Sequence, residues 1–566
     1  MIKKLISLLF IITVLFWASD SFARMPKGYE HLKPVPNVWL TPDDFSQVTP
    51  PHRLFDTDDT INVRINTDNS GQLQNEQQIW INPTDNQNVV AVWRDFRLGY
   101  RRLGYGYSFD GGETWTDALF PNEQQPRMSD PCLTYDVDGN FYALSLSFDW
   151  NGQYSGFEVF KSIDGGMSWE DPVWAILSDE EVFEDKEMFT CDRAPDSPYQ
   201  GNLYIAWTRF SDNQRRTDCM FIRSTDGGQV WGDSIIVSDQ TSLQWPLPVV
   251  GAGGELYVAW VSYRNSSILF DRSSDGGLTW GNDIVAANVY TPSTEINGGI
   301  FVFSFPAMDT DITGGENHGN IYLAYMDRTI YDFDIYFRKS TDSGESWSDE
   351  IRINDDEWDN GCDQFHPWLT VDENGVITVM FYDRRNDEQH NLLYDIYYTQ
   401  SFDAGETWTT NERVTTVSSD PSQGLILAGL IGEYSGVSLK DGWANFVWTD
   451  WRDGDQNTYA ARIQTYDPTS VREDEEILPT QPILISNYPN PFNASTAINF
   501  NVPVESEIEI SAFDVSGRKV AEIVSGEYQP GSHSVNWDAE ELASGVYFVR
   551  LQTDDASSTR KVALIK

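Results

Sequence analysis

The sequence predicts an all-β protein: a β-propeller, with seven blades favoured and six the alternative, followed by a small C-terminal β-sandwich. Three observations predict it. The first is an eight-residue phrase, Ser-x-Asp-x-Gly-x-x-Trp, that occurs six times, at 108–115, 162–169, 224–231, 273–280, 340–347 and 401–408. Successive copies start 54, 62, 49, 67 and 61 residues apart. Those intervals suit one blade each, and a radial array of blades is a propeller. The second is a β-rich segment between phrases, often ending in an aromatic–polar corner. It occurs seven times, at 89–95, 141–148, 203–210, 256–263, 321–328, 377–384 and 444–450. The third is a change of pattern near residue 486, where short alternating strands and Gly-bearing turns fill about 80 residues, the size of a small sandwich.

Taken in chain order, residues 1–23 read as an export signal. Lys3 and Lys4 precede an apolar run at 5–16, which is short for a bilayer span, and Ser21-Phe22-Ala23 offers a small-x-small cleavage site before Arg24. No later apolar stretch is long enough to cross a membrane, so the mature chain is expected to have no transmembrane span. An N-terminal extension follows at 24–57, then the propeller at 58–466. Seven corner segments against six phrases imply a last blade without the phrase, and the alternating stretch 61–65 could close the ring from the opposite terminus. Such closure removes exposed sheet edges. Residues 467–485, with Glu473-Asp474-Glu475-Glu476 and Pro468, Pro479 and Pro482, read as a solvated linker. The sandwich occupies 486–566 and opens on Asn487-Tyr488-Pro489-Asn490-Pro491-Phe492-Asn493.

Each phrase is expected to be a self-closing hairpin between the two outer strands of a blade. The carboxylates of Asp110, Asp164, Asp226, Asp275, Asp342 and Asp403 can accept backbone N–H groups a few residues on, as Asx-turns do. The Gly supplies a left-handed turn residue and the Trp buries a large ring. Six equivalent acids spread around a ring share no substrate, so these Asp are read as structural.

Charge and cysteine bound the function. The formal charge is −49, from 87 acidic and 38 basic residues. A field of that sign repels nucleic acid and anionic membranes. Cys132, Cys191, Cys219 and Cys362 match no zinc pattern, and Cys132 and Cys191 are expected as buried strand residues. No cofactor is expected and no metal ligand set is identified; a structural calcium ion stays an open alternative.

The phrase resembles the Asp-box, or BNR repeat, of the sialidase-like propellers, and the resemblance covers about 58–466. In that family the boxes lie away from the active site and serve the fold. The tail resembles the C-terminal sorting domain of the type IX secretion system: YPNPFN at 488–493, FDVSGR at 513–518, SGVYFVRL at 544–551 and the terminal Lys566 stand in order. This implies passage through the periplasm and outer membrane, handling by the type IX machinery, and a secreted or cell-surface location.

Topology places a site without the family. The phrase joins the third and fourth strands of a blade. The corner joining strands two and three therefore lies on the opposite face, as does the lead-in to the innermost strand. Four corners there carry Asp/Arg pairs: Asp95 with Arg97, Asp327 with Arg328, Asp383 with Arg384 and Arg385, and Asp450 with Arg452. Arg97, Arg328, Arg384 and Arg452 are candidates for gripping a carboxylate or sulfate in bidentate fashion; ion pairing between blades is the alternative. The axial lead-ins hold Glu76, Asp130, Asp185-Lys186-Glu187, His366 and Glu433-Tyr434. Asp95, Asp383, Glu433 and Tyr434 are the catalytic candidates, and His366 a further binding candidate. The layout resembles that of sialidases, where an arginine triad holds the substrate carboxylate, a Tyr–Glu pair supplies the nucleophile and an Asp acts as acid/base. Neighbours on a strand point to opposite faces, so Glu433 and Tyr434 would meet only if the loop bends. The Arg-Ile-Pro motif of bacterial sialidases is absent: Val63-Arg64-Ile65-Asn66 lacks its aromatic and its Pro. The resemblance therefore gives no support to the first triad arginine or to sialidase activity itself. Three functions stand: an extracellular glycoside hydrolase using carboxylates and arginines on this face, a non-catalytic surface propeller binding a glycan, glycoprotein or protein, and a cell-surface structural module.

Overall fold

Seven four-stranded antiparallel meanders stand in chain order in a computed structural model of the protein. It describes residues 61–121, 127–149, 155–178, 181–211, 215–290, 292–328, 332–422, 430–467, 483–488, 492–502, 506–515, 517–529, 531–539, 542–553 and 557–566. The expected export signal, most of the acidic linker and the middle of the YPNPFN segment lie outside the described residues. The chain divides into two compact units, one ending at Pro468 and the other beginning at Thr469.

Blades 1 to 6 start with the innermost strands Gln74–Asn82, Arg127–Tyr135, Phe183–Cys191, Leu243–Val250, Ala307–Thr310 and Gln364–Val371. Blade 7 uses Gly436–Lys440, Trp443–Asp450 and Asn457–Gln464, and takes its outermost strand, Asn62–Arg64, from the start of the ring. The closure is bolted by side chains as well as by the ladder. The Asn66 side chain donates to Asn457 Oδ1 at 2.9 Å and accepts the Thr458 N–H at 2.9 Å. Seven blades is thus the count, and the closing strand falls where alternation placed it.

The second strands are largely apolar because they are covered on both faces. Val89, Val90, Ala91, Val92 and Trp93 are all 0% exposed, as strands sandwiched between neighbouring blades must be. All four cysteines are free and buried, and burial raises the Cys191 thiol to about 12.

The six phrases close on themselves. In the first, Asp110 accepts the Thr114 N–H at 2.9 Å and the Ser108 hydroxyl at 2.7 Å, and the Ser108 hydroxyl accepts the Gly112 N–H at 2.8 Å. The same bonds recur about Asp164, Asp226, Asp275, Asp342 and Asp403. The Gly has a second duty. Its φ is positive, and a Cβ on Gly344 would lie 2.1 Å from the Phe270 ring of the preceding blade; on Gly405 it would lie 2.3 Å from Phe337. The closing Trp packs on the same neighbour: Trp347 meets Phe270 edge-on at 5.4 Å and Trp408 meets Phe337 at 4.8 Å. Each phrase therefore staples its own blade and seats it against the one before.

The C-terminal unit has two sheets. One orders Ile483–Tyr488, Ser495–Val502 and Gly531–Asp538; the other orders Lys519–Tyr528, Ser506–Asp514, Gly545–Gln552 and Ser557–Leu564. Between them lie Ile498, Phe500, Ile508, Ile510, Trp537, Val549 and Leu551. The turn at 514–517 is closed by Gly517 N–H donating to Asp514 O at 2.8 Å.

Candidate functional site

One backbone position repeats in every blade and carries a different side chain each time. Just inside the innermost strand of blades 1, 2, 3, 4 and 6 the ladder to the second strand skips two residues. The first skipped residue is left-handed: Glu76, Asp130, Lys186, Trp245 and His366 have φ between 48° and 66°. Ladder register puts Phe305 and Tyr434 at the same place in blades 5 and 7, two residues before Ala307 and Gly436. Bulges aim side chains and are frequent beside sites. A left-handed residue with a side chain costs roughly 1–3 kcal/mol, strain that a fold keeps where the surroundings demand it.

These side chains meet at the axis. Lys186 Nζ lies 2.9 Å from Asp130 Oδ2, 3.8 Å from Glu433 Oε2, and over the rings of Trp245 (4.8 Å) and Tyr434 (5.5 Å). Trp245 touches Tyr434 at 6.1 Å and Phe305 at 5.6 Å, and Phe305 touches His366 at 5.3 Å. Glu76 pairs with Arg94 of the adjoining strand at 2.7 Å. Contacts from blades 3 and 4 to blade 7 span the axis. The result is a ring that is charged on the side of blades 1 to 3 and aromatic on the side of blades 4 to 7. Glu433 and Tyr434 precede the Gly436–Lys440 strand, so strand alternation does not separate them and both approach Lys186.

The ring is largely shut off from solvent, with Lys186 partly exposed, and its electrostatics follow from that. Glu76, Asp130 and Tyr434 are 0%, 4% and 0% exposed. Burial pushes Glu76 well above the usual carboxylate range, with Asp130 adding and Arg94 opposing. Burial would also raise Asp130, but Lys186 and Arg94 bring it down to about 2. Burial lifts Asp185 to about 7 and lowers His366 to about 3. Tyr434 is raised by burial and by the surrounding acids, which disfavours its phenolate. Both carboxylate oxygens of Glu187, both ring nitrogens of His366 and the Tyr434 hydroxyl meet no hydrogen-bond partner among the described residues. Orphaned polar atoms in so buried a place are uncommon and costly. Among the described residues no three His, Cys, Asp or Glu side chains converge as metal ligands.

The corner residues have other work. Asp95 accepts the Trp93 indole N–H at 2.8 Å and the Arg97 backbone N–H at 2.8 Å, and Arg97 is shared between Asp95 and Asp117, each at 2.7 Å. Asp450 repeats the arrangement with Trp448 and Arg452, and Arg452 lies over Tyr459. In blade 6 the equivalent arginine is Arg385, 2.8 Å from Asp383. Arg384 is fully buried and donates to the carbonyls of Asn391 and Asn297, each at 2.8 Å. The Arg328 backbone N–H donates to Asp327, and its guanidinium lies over Phe333. Arg64 donates to the Asp68 carbonyl and pairs with Asp453. So Arg97, Arg384 and Arg452 each meet protein acceptors, and Asp95 and Asp383 each hold an arginine.

Sequence reasoning passed over Arg94, Trp245 and Phe305 as members of the ring. A signal was present: a proline follows the ring residue in four blades, at Pro131, Pro246, Pro306 and Pro367. Proline fits a bulge, where no ladder N–H is needed.

Residues 486–566 match the family model of the secretion system C-terminal sorting domain. That domain implies handling by the type IX machinery and export. No helix among the described residues is long and apolar enough to cross a membrane. Comparison with curated sequences finds no match. Among solved structures the chain is similar to a Dyadobacter fermentans protein of unknown function, with 17% identity over 57% of this chain and 93% of that one and a TM-score of 0.40. It is similar also to a Hadza microbial sialidase, at 13% over 69% and 66% with a TM-score of 0.40. A Trypanosoma rangeli sialidase gives 12% over 87% and 84% with a TM-score of 0.41.

Proposed function

We propose that the chain is an exported glycoside hydrolase of the propeller type, acting on a neutral glycan at the axial ring. One observation carries the reading: two carboxyls stand together in the ring with different cations beside them, Asp130 with Lys186 at 2.9 Å and Glu76 with Arg94 at 2.7 Å, and their surroundings divide them, burial raising Glu76 while Lys186 and Arg94 keep Asp130 low. A glycosidase needs that division, a protonated acid for the leaving oxygen and an ionised carboxylate as base or nucleophile. Glu76 takes the first role and Asp130 the second. Lys186 holds Asp130 ionised, and the aromatic side of Trp245, Phe305 and Tyr434 supplies a platform for a sugar ring. A glycan without a carboxylate is favoured because Arg97, Arg384 and Arg452 are engaged by the chain's own acceptors.

The test is incubation of the full chain with a panel of fluorogenic glycosides that includes a sialoside. Turnover of a neutral glycoside is expected, falling at least about 100-fold in Glu76→Gln and in Asp130→Asn, the size of a lost general acid or base. One observation favours a second reading, a binding propeller without turnover: the near-complete burial of Glu76, Asp130 and Tyr434. Calorimetric glycan binding with no hydrolysis anywhere in the panel would select it.

A further inference from the structure

The connection from blade 4 to blade 5 carries an added hairpin, Ser293–Ile296 paired with Ile300–Phe303, the one two-stranded sheet among the described residues. It follows a fourth strand and precedes a first strand, so it lies on the same face as the axial ring. Its returning strand is buried, with Ile300 and Val302 at 0% exposure. Phe303 meets Trp245 at 4.9 Å, and Phe305 just beyond lies between Trp245 and His366. The hairpin therefore roofs the aromatic side of the ring.

Its tip is held by a different blade. Arg384, at the corner of blade 6, donates to the Asn297 carbonyl at 2.8 Å, and the Asn297 side chain donates to the His390 carbonyl at 2.9 Å. Gly298 sits so close to the blade 6 loops that a Cβ would lie 2.9 Å from Leu392 and 3.0 Å from Pro421. A latch made of two polar bonds at a tip is weak beside a propeller core. Beneath it lie the orphaned polar atoms of His366 and Tyr434, groups with hydrogen-bonding capacity that the folded chain leaves unused.

We infer that the hairpin 293–303 is a lid over the axial ring, latched by Arg384 to the corner of blade 6, and that it lifts to admit the ligand. The inference rests on the glycan reading for what is admitted, not for whether the lid moves. Lid opening is a local event, so it should cost less than unfolding the ring.

Hydrogen–deuterium exchange on the full chain tests it, comparing wild type with Arg384→Met, which keeps an unbranched apolar stem and removes the donors. The expected result is exchange at 293–303 faster than in the second strands of blades 4 and 5, and at least about tenfold faster again in Arg384→Met, one latch bond being worth about 1.4 kcal/mol or more. Asn297→Ala, which keeps the backbone acceptor, is expected to give a smaller acceleration and serves if Arg384→Met does not fold. Exchange of the hairpin only together with the whole ring, in wild type and variants alike, overturns the lid. Independent opening with no glycoside bound or cleaved supports the lid and overturns the glycan reading.

Discussion

The rim of phrases and the ring at the axis both repeat around one toroid, six times and seven, and they differ in almost every respect. In the phrases the residue types are repeated and the bonds to the Ser and Asp side chains close locally, as in Ser108–Asp110–Thr114. At the axis the same ladder position recurs while the side chains change from Glu76 to Asp130, Lys186, Trp245, Phe305, His366 and Tyr434, five of them on a left-handed bulge. Repeated chemistry on repeated backbone builds a scaffold; different chemistry on repeated backbone builds a site. The acids illustrate it. Asp275 sits near the rim, where what burial it has would raise its carboxyl but hydrogen bonds from its own turn bring the pKa down to about 2. Glu76, deep at the axis, is pushed upward.

Four substitutions would break or sharpen this contrast, taken from the largest expected effect to the smallest. Asp130→Ala strips Lys186 of its closest partner inside the ring. Removing one member of a buried pair costs about 3–5 kcal/mol, to be read by denaturant unfolding, and adding Lys186→Met should recover much of it. Gly344→Val drives a side chain into Phe270 from a left-handed turn; overpacking of this kind costs about 1–3 kcal/mol, and the turn adds to it. Glycan binding by the fraction that stays folded should be unchanged.

Asp185→Asn tests the electrostatics. Burial raises Asp185 from the ordinary carboxylate range to about 7. A raised carboxyl supports the fold below its unfolded pKa, and that support is lost as pH rises through the folded value. The variant should therefore gain melting temperature relative to wild type at pH 8 and gain little at pH 4. A gain independent of pH would place the effect in packing. The smallest change is Phe109→Ser at an exposed phrase tip, 49% accessible, expected to stay within about 0.5 kcal/mol of wild type in thermal melts.

The rim was legible in the sequence and the axis only partly so. Six Asp, six Gly and six Trp at fixed offsets announce a local turn, because the Ser and Asp side-chain bonds that close it lie within eight residues. The second strands were legible for a similar reason: burial on both faces writes unbroken apolar runs such as 89–93. Closure by 61–65 followed from counting. The axial residues were named as lead-ins, but their assembly depends on contacts such as Lys186 with Glu433 and Trp245 with Tyr434, which cross the molecule and leave no spacing to read. The corner arginines, readable in sequence as a ligand grip or as ion pairs, show the opposite case. Asp95 and Arg97 look like a ligand grip in sequence, yet their partners, Trp93 and Asp117, lie close by in the chain and absorb them. The lid hairpin was not read, although Asn297-Gly298-Gly299 ahead of the apolar run 300–303 is a hairpin signal.

Hydrogen exchange of the full chain with and without the best-cleaved or best-bound glycoside of the panel tests the division of labour most directly. The account predicts new protection in the first strands around Glu76, Asp130 and Lys186 and in the hairpin 293–303, with the phrase tips at 109–113 and 163–167 unchanged. Protection confined to the phrase tips, with the axial strands unmoved, would contradict it.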